Sequence, residues 1–253
     1  MNQVIIKIEN LTHRYEDGSD GLCDVNLEIA AGGFIVIAGE NGSGKTTLLR
    51  HLNGLLLPTE GRVEVDGQSV AQDPARARQL VGMMFQDAAS QIIGDTVGED
   101  VAFGPENLCL DRREITRRVD QALSQVGLSR LADQRPHLLS GGEKRRLAIA
   151  AILAMQPQIV VFDEPFTSLD YPGTRQVLEQ MVALHQSGHT IIVTTHDLEK
   201  VLAHADRLII MHQARVVKDG RPADILAYTE SFGVRSPLVG QTAMDIEVLS
   251  WLN

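Results

Sequence analysis

The sequence predicts an α/β fold in which a largely parallel sheet is covered on both faces. Three observations carry that prediction. Short apolar runs at Phe34 to Ala38, Ile159 to Phe162 and Thr190 to Thr194 lack polar alternation, so they read as strands buried on both faces. Helical segments stand between such strands, the order that produces parallel pairing. The octapeptide GENGSGKT, Gly39 to Thr46, fits the phosphate-binding pattern Gly-x-x-x-x-Gly-Lys-Ser/Thr, between a strand and a helix start.

Taken in order, the first third is β-rich. Ile5 to Glu9, Asp24 to Ile29, Phe34 to Ala38 and Arg62 to Val65 read as strands, with turns at Asp17-Gly18, Gly32-Gly33 and Asp66-Gly67. A helix starts at Thr46 and runs to Leu52, a short one covers Pro74 to Gln79, and Val81 to Phe85 is a strand ending at Gln86. From about 87 to 157 the chain becomes helical and reads as a subdomain inserted between core strands. Asp111 and Glu114 are spaced as a capping box. Ile115, Val119, Ala122, Leu123 and Val126 then share one helical face, with Gly127 as C-cap. A second helix follows Ser140. The core resumes with the strand at Ile159, a helix from Tyr171 to Gln186 with Pro172 in its first turn, and the strand at Thr190. Leu208 to Met211 and Arg215 to Lys218 read as a terminal hairpin, and Asp224 to Tyr228 as a short helix. The expected organisation is one domain over 1–230 and a C-terminal extension over 231–253, whose structure the pattern does not define.

Composition narrows the class. The chain has 253 residues, 43% hydrophobic and 22% charged, which suits a globular protein with a substantial core. A formal charge of −10 disfavours nucleic acid as the main partner. Cys23 and Cys109 stand far apart, which fits reduced thiols and not a metal site. The N-terminal Val4 to Ile8 is strand-like and does not resemble a signal peptide. The longest apolar run, Leu147 to Met155, has nine residues, against about 20 for a spanning helix. Work at a membrane would need another chain to supply the membrane part.

Chemistry concentrates at three places. In the glycine-rich loop, backbone N–H groups can curl around phosphate oxygens at a helix N-terminus. Lys45 would reach the β- and γ-phosphates and the Thr46 hydroxyl would ligate Mg²⁺. At Val160-Val161-Phe162-Asp163-Glu164 an apolar strand ends in two carboxylates, one suited to Mg²⁺ and one to polarising the attacking water. An exposed acidic turn is the bland alternative. At Leu139-Ser140-Gly141-Gly142-Glu143, Ser140 and Glu143 are spaced as a capping box, and the two glycines expose N–H groups suited to a phosphate.

With these residues in hand, the chain resembles the nucleotide-binding subunit of ABC transporters over about Val4 to Lys218. The motifs fall in the family's order: GENGSGKT, Gln86 after a strand, LSGGE, VVFDEP, the SLD of Ser168 to Asp170, and His196 after a strand. The resemblance implies a P-loop NTPase core of RecA-like type, an N-terminal antiparallel β subdomain and an inserted α-helical signature subdomain. It implies ATP as substrate and Mg²⁺ as cofactor. Tyr15 would stack on adenine, and Asn41, Gly42, Ser43, Gly44, Lys45, Thr46 and Thr47 would wrap the phosphates. Thr46, Gln86 and Asp163 would serve Mg²⁺, Glu164 would be the catalytic base, and His196 would contact the γ-phosphate. Ser140, Gly141 and Gly142 would cap ATP held by a second subunit, the same chain or a paralogue, with Asp170 communicating across that interface. Tyr15 could instead be a half-buried strand aromatic, and His196 a helix-terminal residue or a metal ligand with Asp197. The chain departs from the usual family pattern at Glu143 for glutamine, Phe166 for threonine and Ser168 for glycine.

Asp87, Gln91, Thr96-Val97 and the run Glu99 to Asn107 look like the energy-coupling factor branch, importers of vitamins and of metal ions such as cobalt or nickel. Ala88 replaces that branch's usual proline. The branch implies a groove for a transmembrane coupling subunit, a separate substrate-capture membrane subunit, and residence on the cytoplasmic face of the cell membrane. Two other readings are a soluble cassette acting on DNA or ribosomes, and a nucleotide switch without useful hydrolysis. The acidic charge disfavours the first; the joint presence of Lys45, Asp163, Glu164 and His196 disfavours the second.

Overall fold

The computed structural model describes residues 3–237 and 250–252. Its centre is a six-stranded sheet. The strands are β3 (Phe34–Ala38), β6 (Val81–Met84), β7 (Ile159–Asp163), β8 (Thr190–Thr195), β9 (Arg207–His212) and β10 (Arg215–Gly220). Their spatial order is β10-β9-β3-β8-β7-β6, all pairs parallel except the β9–β10 hairpin at the edge.

Burial on both faces explains why these strands lack polar alternation. Period two still sorts their side chains. Phe34, Val36, Val160, Phe162, Ile191 and Val193 enter one apolar cluster, while Ile35, Ile37, Ile159, Val161 and Ile192 enter the other. The first cluster is closed by helices, chiefly α5 (Gly141–Ala154) and α6 (Tyr171–Gln186). The second is closed by α1 (Lys45–Leu52) and by an antiparallel sheet of order β2-β1-β4-β5. That sheet comprises β1 (Val4–Arg14), β2 (Asp20–Ala30), β4 (Glu60–Val65) and the two-residue β5 (Gln68–Ser69). The fold is thus the expected α/β core with an antiparallel N-terminal sheet and inserted helices.

Several elements differ from expectation for local reasons. Strand β1 runs to Arg14 rather than Glu9 because a bulge shifts its register between Ile8 and Leu11, with Asn10 at φ +50°. The bulge breaks the alternation, so the second half does not look like a continuation. Strand β2 begins earlier, at Asp20, with Asp24 at φ +48°. The expected hairpin forms as β9 and β10, and β9 also pairs in parallel with β3, which joins it to the core sheet. The segment read as a helix over Asp224 to Tyr228 is a short α7 (Pro222–Ile225), opened by Pro222, followed by 3-10 turns over Leu226–Phe232.

Between β6 and β7 lie α3 (Val97–Asn107), α4 (Arg112–Gln125) and α5. Thr96 and Glu99 form a complete capping box on α3. On α4 the expected box is only half made. Asp111 accepts from the N–H groups of Arg113 and Glu114, but Glu114 turns to Arg117 and Arg118. Two guanidinium donors attract that carboxylate more strongly than one peptide N–H, and they hold its pKa down to about 2. No helix among the described residues is long and apolar enough to cross a membrane.

Candidate functional site

The site forms where neighbouring parallel strands β3, β8 and β7 end, the edge of an open α/β sheet at which ligands bind. After β3 the chain turns through Gly39–Gly44 into α1. A side chain at Gly39 would sit 2.3 Å from the Met211 carbonyl oxygen on β9, and Gly44 adopts φ +102°, so both positions require glycine. The first turn of a helix leaves N–H groups without intrahelical partners, and α1 aims them into a cleft of about 610 Å³. Tyr15, Asn41, Gly42, Thr46, Gln86 and Glu164 line that cleft. The buried Ser43 hydroxyl has no hydrogen-bond partner among the described residues.

Lys45 folds back over the loop, and its Nζ donates to the carbonyls of Gly39 at 2.7 Å and Glu40 at 3.0 Å. Burial pushes its pKa below lysine's ordinary value, while Glu164 and Asp163 pull it upward. Asp163, almost fully buried at the end of β7, accepts from two hydroxyls. Thr46 Oγ1 donates to its Oδ2 at 2.8 Å and Thr194 Oγ1 to its Oδ1 at 2.6 Å. A carboxylate and a hydroxyl converging beside a phosphate loop are the hard oxygen donors that Mg²⁺ prefers, so the residues fit that ion, with Gln86 on the same cleft.

Glu164 takes φ +48°, fixed by its N–H donating to both the carbonyl and the hydroxyl of Thr194, each at 3.1 Å. This turn aims the carboxylate back at the cleft. Its Oε2 lies 2.9 Å from His196 Nδ1. Its Oε1 is buried without a hydrogen-bond partner among the described residues, 3.8 Å from Lys45 Nζ. Anchored by His196, set beside Lys45 and lining the cleft, this carboxylate is the acceptor placed to take a proton from a water bound there.

Tyr15 stands just past the end of β1, not within it. It is 37% exposed, and its hydroxyl is 2.8 Å from Thr47 Oγ1. Its ring meets His13 edge-on, and His13 meets the buried His51 of α1 in the same manner. The aromatic wall of the cleft is therefore tied to the helix that carries the phosphate loop.

Ser140, Gly141 and Gly142 are not in this cleft. They line a separate concavity of about 460 Å³ with Ser168, Asp170 and Gly173. Ser140 and Glu143 form the full capping box of α5, so Glu143, in place of a glutamine, still accepts at this helix start. Asp170 caps α6 through the Gly173 N–H. One chain thus carries a phosphate-binding cleft and, elsewhere, an open helix N-terminus of matching character.

Two residues that organise the site escape the sequence reading. Thr194 holds both carboxylate residues yet looks like one more strand position. Arg145 donates to the Thr167 carbonyl and ties α5 to the loop after Glu164. In the run Lys144-Arg145-Arg146 nothing separates a buried guanidinium from a solvated one.

Phosphate loop, strand-end carboxylate pair and sheet order define a P-loop ATPase. The ABC transporter family profile matches residues 22–167. The energy-coupling factor transporter ATP-binding protein EcfA of Methanocaldococcus jannaschii is 39% identical, over 97% of this chain and 89% of its own. CbiO1 of Clostridium perfringens, part of the ABC transporter complex CbiONQ, superposes with a TM-score of 0.82. It is 36% identical, over 91% of this chain and 93% of its own. An ATP-binding cassette solved as a dimer in a post-hydrolysis state with ADP and Pi superposes at 0.77. It is 30% identical, covering 86% of this chain and 98% of its own. The chain belongs to the ATP-binding subunits of ABC transporters, which bind ATP and couple its hydrolysis to transport. Nothing in these relatives points to DNA or ribosomes.

Two measurements follow from this geometry. Between Lys45's lowered folded-state pKa and the ordinary 10.5, the unfolded chain holds more protons than the folded one, so stability rises with pH across that window. Lys45→Met is expected to lose that slope in urea unfolding at a series of alkaline pH values, along with nucleotide binding. Ser168 sits at φ +61°, where glycine carries no steric cost. Ser168→Gly is expected to leave stability unchanged or raise it by up to about 1 kcal/mol, read from the urea midpoint.

Proposed function

We propose that this chain is the ATPase subunit of an energy-coupling factor importer, acting in pairs on the cytoplasmic face of the membrane and driving uptake of a metal ion or vitamin. The observation that carries the paired arrangement is the separation of the phosphate cleft from the Ser140–Gly142 concavity. Each helix N-terminus suits a phosphate, so two chains placed head to tail would bury each ATP between one chain's loop and the other's signature. The solved dimeric cassette with ADP and Pi supports this.

In this reading Tyr15 stacks on the adenine, and Asn41, Gly42, Ser43, Gly44, Thr46 and Thr47 bind the phosphates. Lys45 places its charge on the β- and γ-phosphates. Glu164 accepts the proton of the attacking water. His196 orients Glu164 through the Nδ1–Oε2 contact and approaches the γ-phosphate. Thr46, Asp163 and Gln86 would hold Mg²⁺, which supplies charge neutralisation on the transferred group.

Likeness to EcfA and CbiO1 supports the branch and the membrane partners. So does a groove of about 330 Å³ whose lining includes Phe85, the residue before Gln86. Its lining includes Leu55, Phe85, Gln91, Ile93 and Phe103, and Leu55, Ile93 and Phe103 are large apolar side chains left 47–59% exposed. An apolar groove of this kind suits an amphipathic helix of a coupling subunit. Gln86, between groove and cleft, would link helix docking to hydrolysis.

Co-expression with candidate membrane subunits, followed by ATPase measurement on what co-purifies, tests the proposal. Glu164→Gln is expected to keep ATP binding, lower turnover about 10²–10⁴-fold and accumulate an ATP-bound dimer on gel filtration; wild-type turnover would remove Glu164 as the base. Phe103→Glu is expected to lose co-purification while the isolated chain still binds ATP. Retained association would move the docking surface elsewhere.

A further inference from the structure

The segment from Glu164 to Tyr171 joins the proposed base to the start of α6. It contains two non-glycine residues in the left-handed region, Glu164 at φ +48° and Ser168 at φ +61°. Such conformations persist only where neighbours over-determine them. Thr194 fixes Glu164 itself. Further along, Arg145 holds the segment through the Thr167 carbonyl. Another neighbour is the stretch 250–252. Trp251 and Leu252 pack against the apolar cluster that contains Phe166. The Trp251 and Tyr171 ring centroids are 5.3 Å apart.

Lys200 completes the arrangement. Its Nζ lies 5.6 Å from the Phe166 ring centroid and 5.7 Å from that of Trp251, within cation–π range of both. It is also paired with Asp197 at 2.9 Å, one residue beyond His196. Ser250 Oγ lies 3.3 Å from His204 Nε2. Phe166, a departure from the usual threonine, here supplies an aromatic face that a threonine would lack.

We propose that Trp251 is a positioning residue for hydrolysis: through Phe166, Lys200 and Tyr171, the C-terminal end latches the 164–171 segment and sets where Glu164 and Asp170 stand when two chains close on ATP. This rests on the reading of Glu164 as the base. The latching side chains Trp251, Phe166, Lys200 and Tyr171 line neither the phosphate cleft nor the Ser140–Gly142 concavity, so the latch acts on the closed, reacting arrangement and governs turnover more than ATP affinity.

The test compares wild type, Trp251→Ala, Trp251→Phe and Glu164→Gln, each as the full chain in its complex with membrane subunits. Trp251→Ala is expected to lower kcat about 10- to 100-fold, the scale of a displacement approaching 1 Å. KM for ATP and the melting midpoint should stay at wild-type values, and Trp251→Phe should restore most of the rate. Trp251 is the chain's only tryptophan, so emission of the isolated chain reports the latch. It is expected to be blue-shifted and to move red in Tyr171→Ala. Wild-type kcat in Trp251→Ala, or a fall in kcat matched by a fall in melting midpoint that Trp251→Phe does not rescue, overturns the latch. Solvent-like emission indifferent to Tyr171→Ala does the same. Wild-type turnover in Glu164→Gln overturns the base and the latch together, whereas an inactive Glu164→Gln beside a fully active Trp251→Ala removes the latch alone.

Discussion

The pair of hydrogen bonds converging on Asp163 is the interaction on which the site depends. Thr46 after β3 and Thr194 on β8 both donate to the carboxylate that ends β7. Three consecutive strands of the parallel sheet are thereby locked at their ends. An unpaired buried carboxylate would be strongly unfavourable, so each hydroxyl is held as firmly as it holds. Thr194 extends the lock by accepting the Glu164 N–H and forcing the turn that sends Glu164 into the cleft. Position of the carboxylates relative to the phosphate loop is then a property of sheet register, which side-chain flexibility does not blur.

Register in turn comes from burial on both faces. A one-residue slip of any central strand would exchange its two sets of side chains between clusters of different shape. On one side the antiparallel sheet fixes Tyr15 against Thr47; on the other the helices fix the signature turn. The same core therefore sets the aromatic side of the cleft and the open helix N-terminus of the second concavity.

Charge within the site is arranged to await a ligand. Lys45 is buried and disfavoured as a cation by desolvation, yet it stands 3.8 Å from a Glu164 oxygen that has no hydrogen-bond partner among the described residues. Phosphate oxygens would satisfy the lysine and the loop N–H groups together. The protein spends stability on that preorganisation, as the left-handed Glu164 and Ser168 also indicate.

The sequence alone determined the α/β core, the phosphate loop and the carboxylate pair at the end of β7. These are local patterns, in which short-range sterics and periodicity dictate the element and the motif spacing dictates the chemistry. Glu143 as a capping partner of Ser140 was equally legible, because a capping box closes within four residues. The extent of β1 was not, because a bulge at Asn10 interrupts the period that reveals a strand. Glu114's choice of arginines over its capping bond was hidden by competition among partners three and four residues away. Only the tertiary structure decided that Thr194 and Arg145 organise the site, that β9 joins β3, and that Trp251 meets Tyr171 and Lys200. Each of these joins residues distant in sequence, and such contacts are selected by the packing of the whole sheet and its helices, which no window along the chain contains.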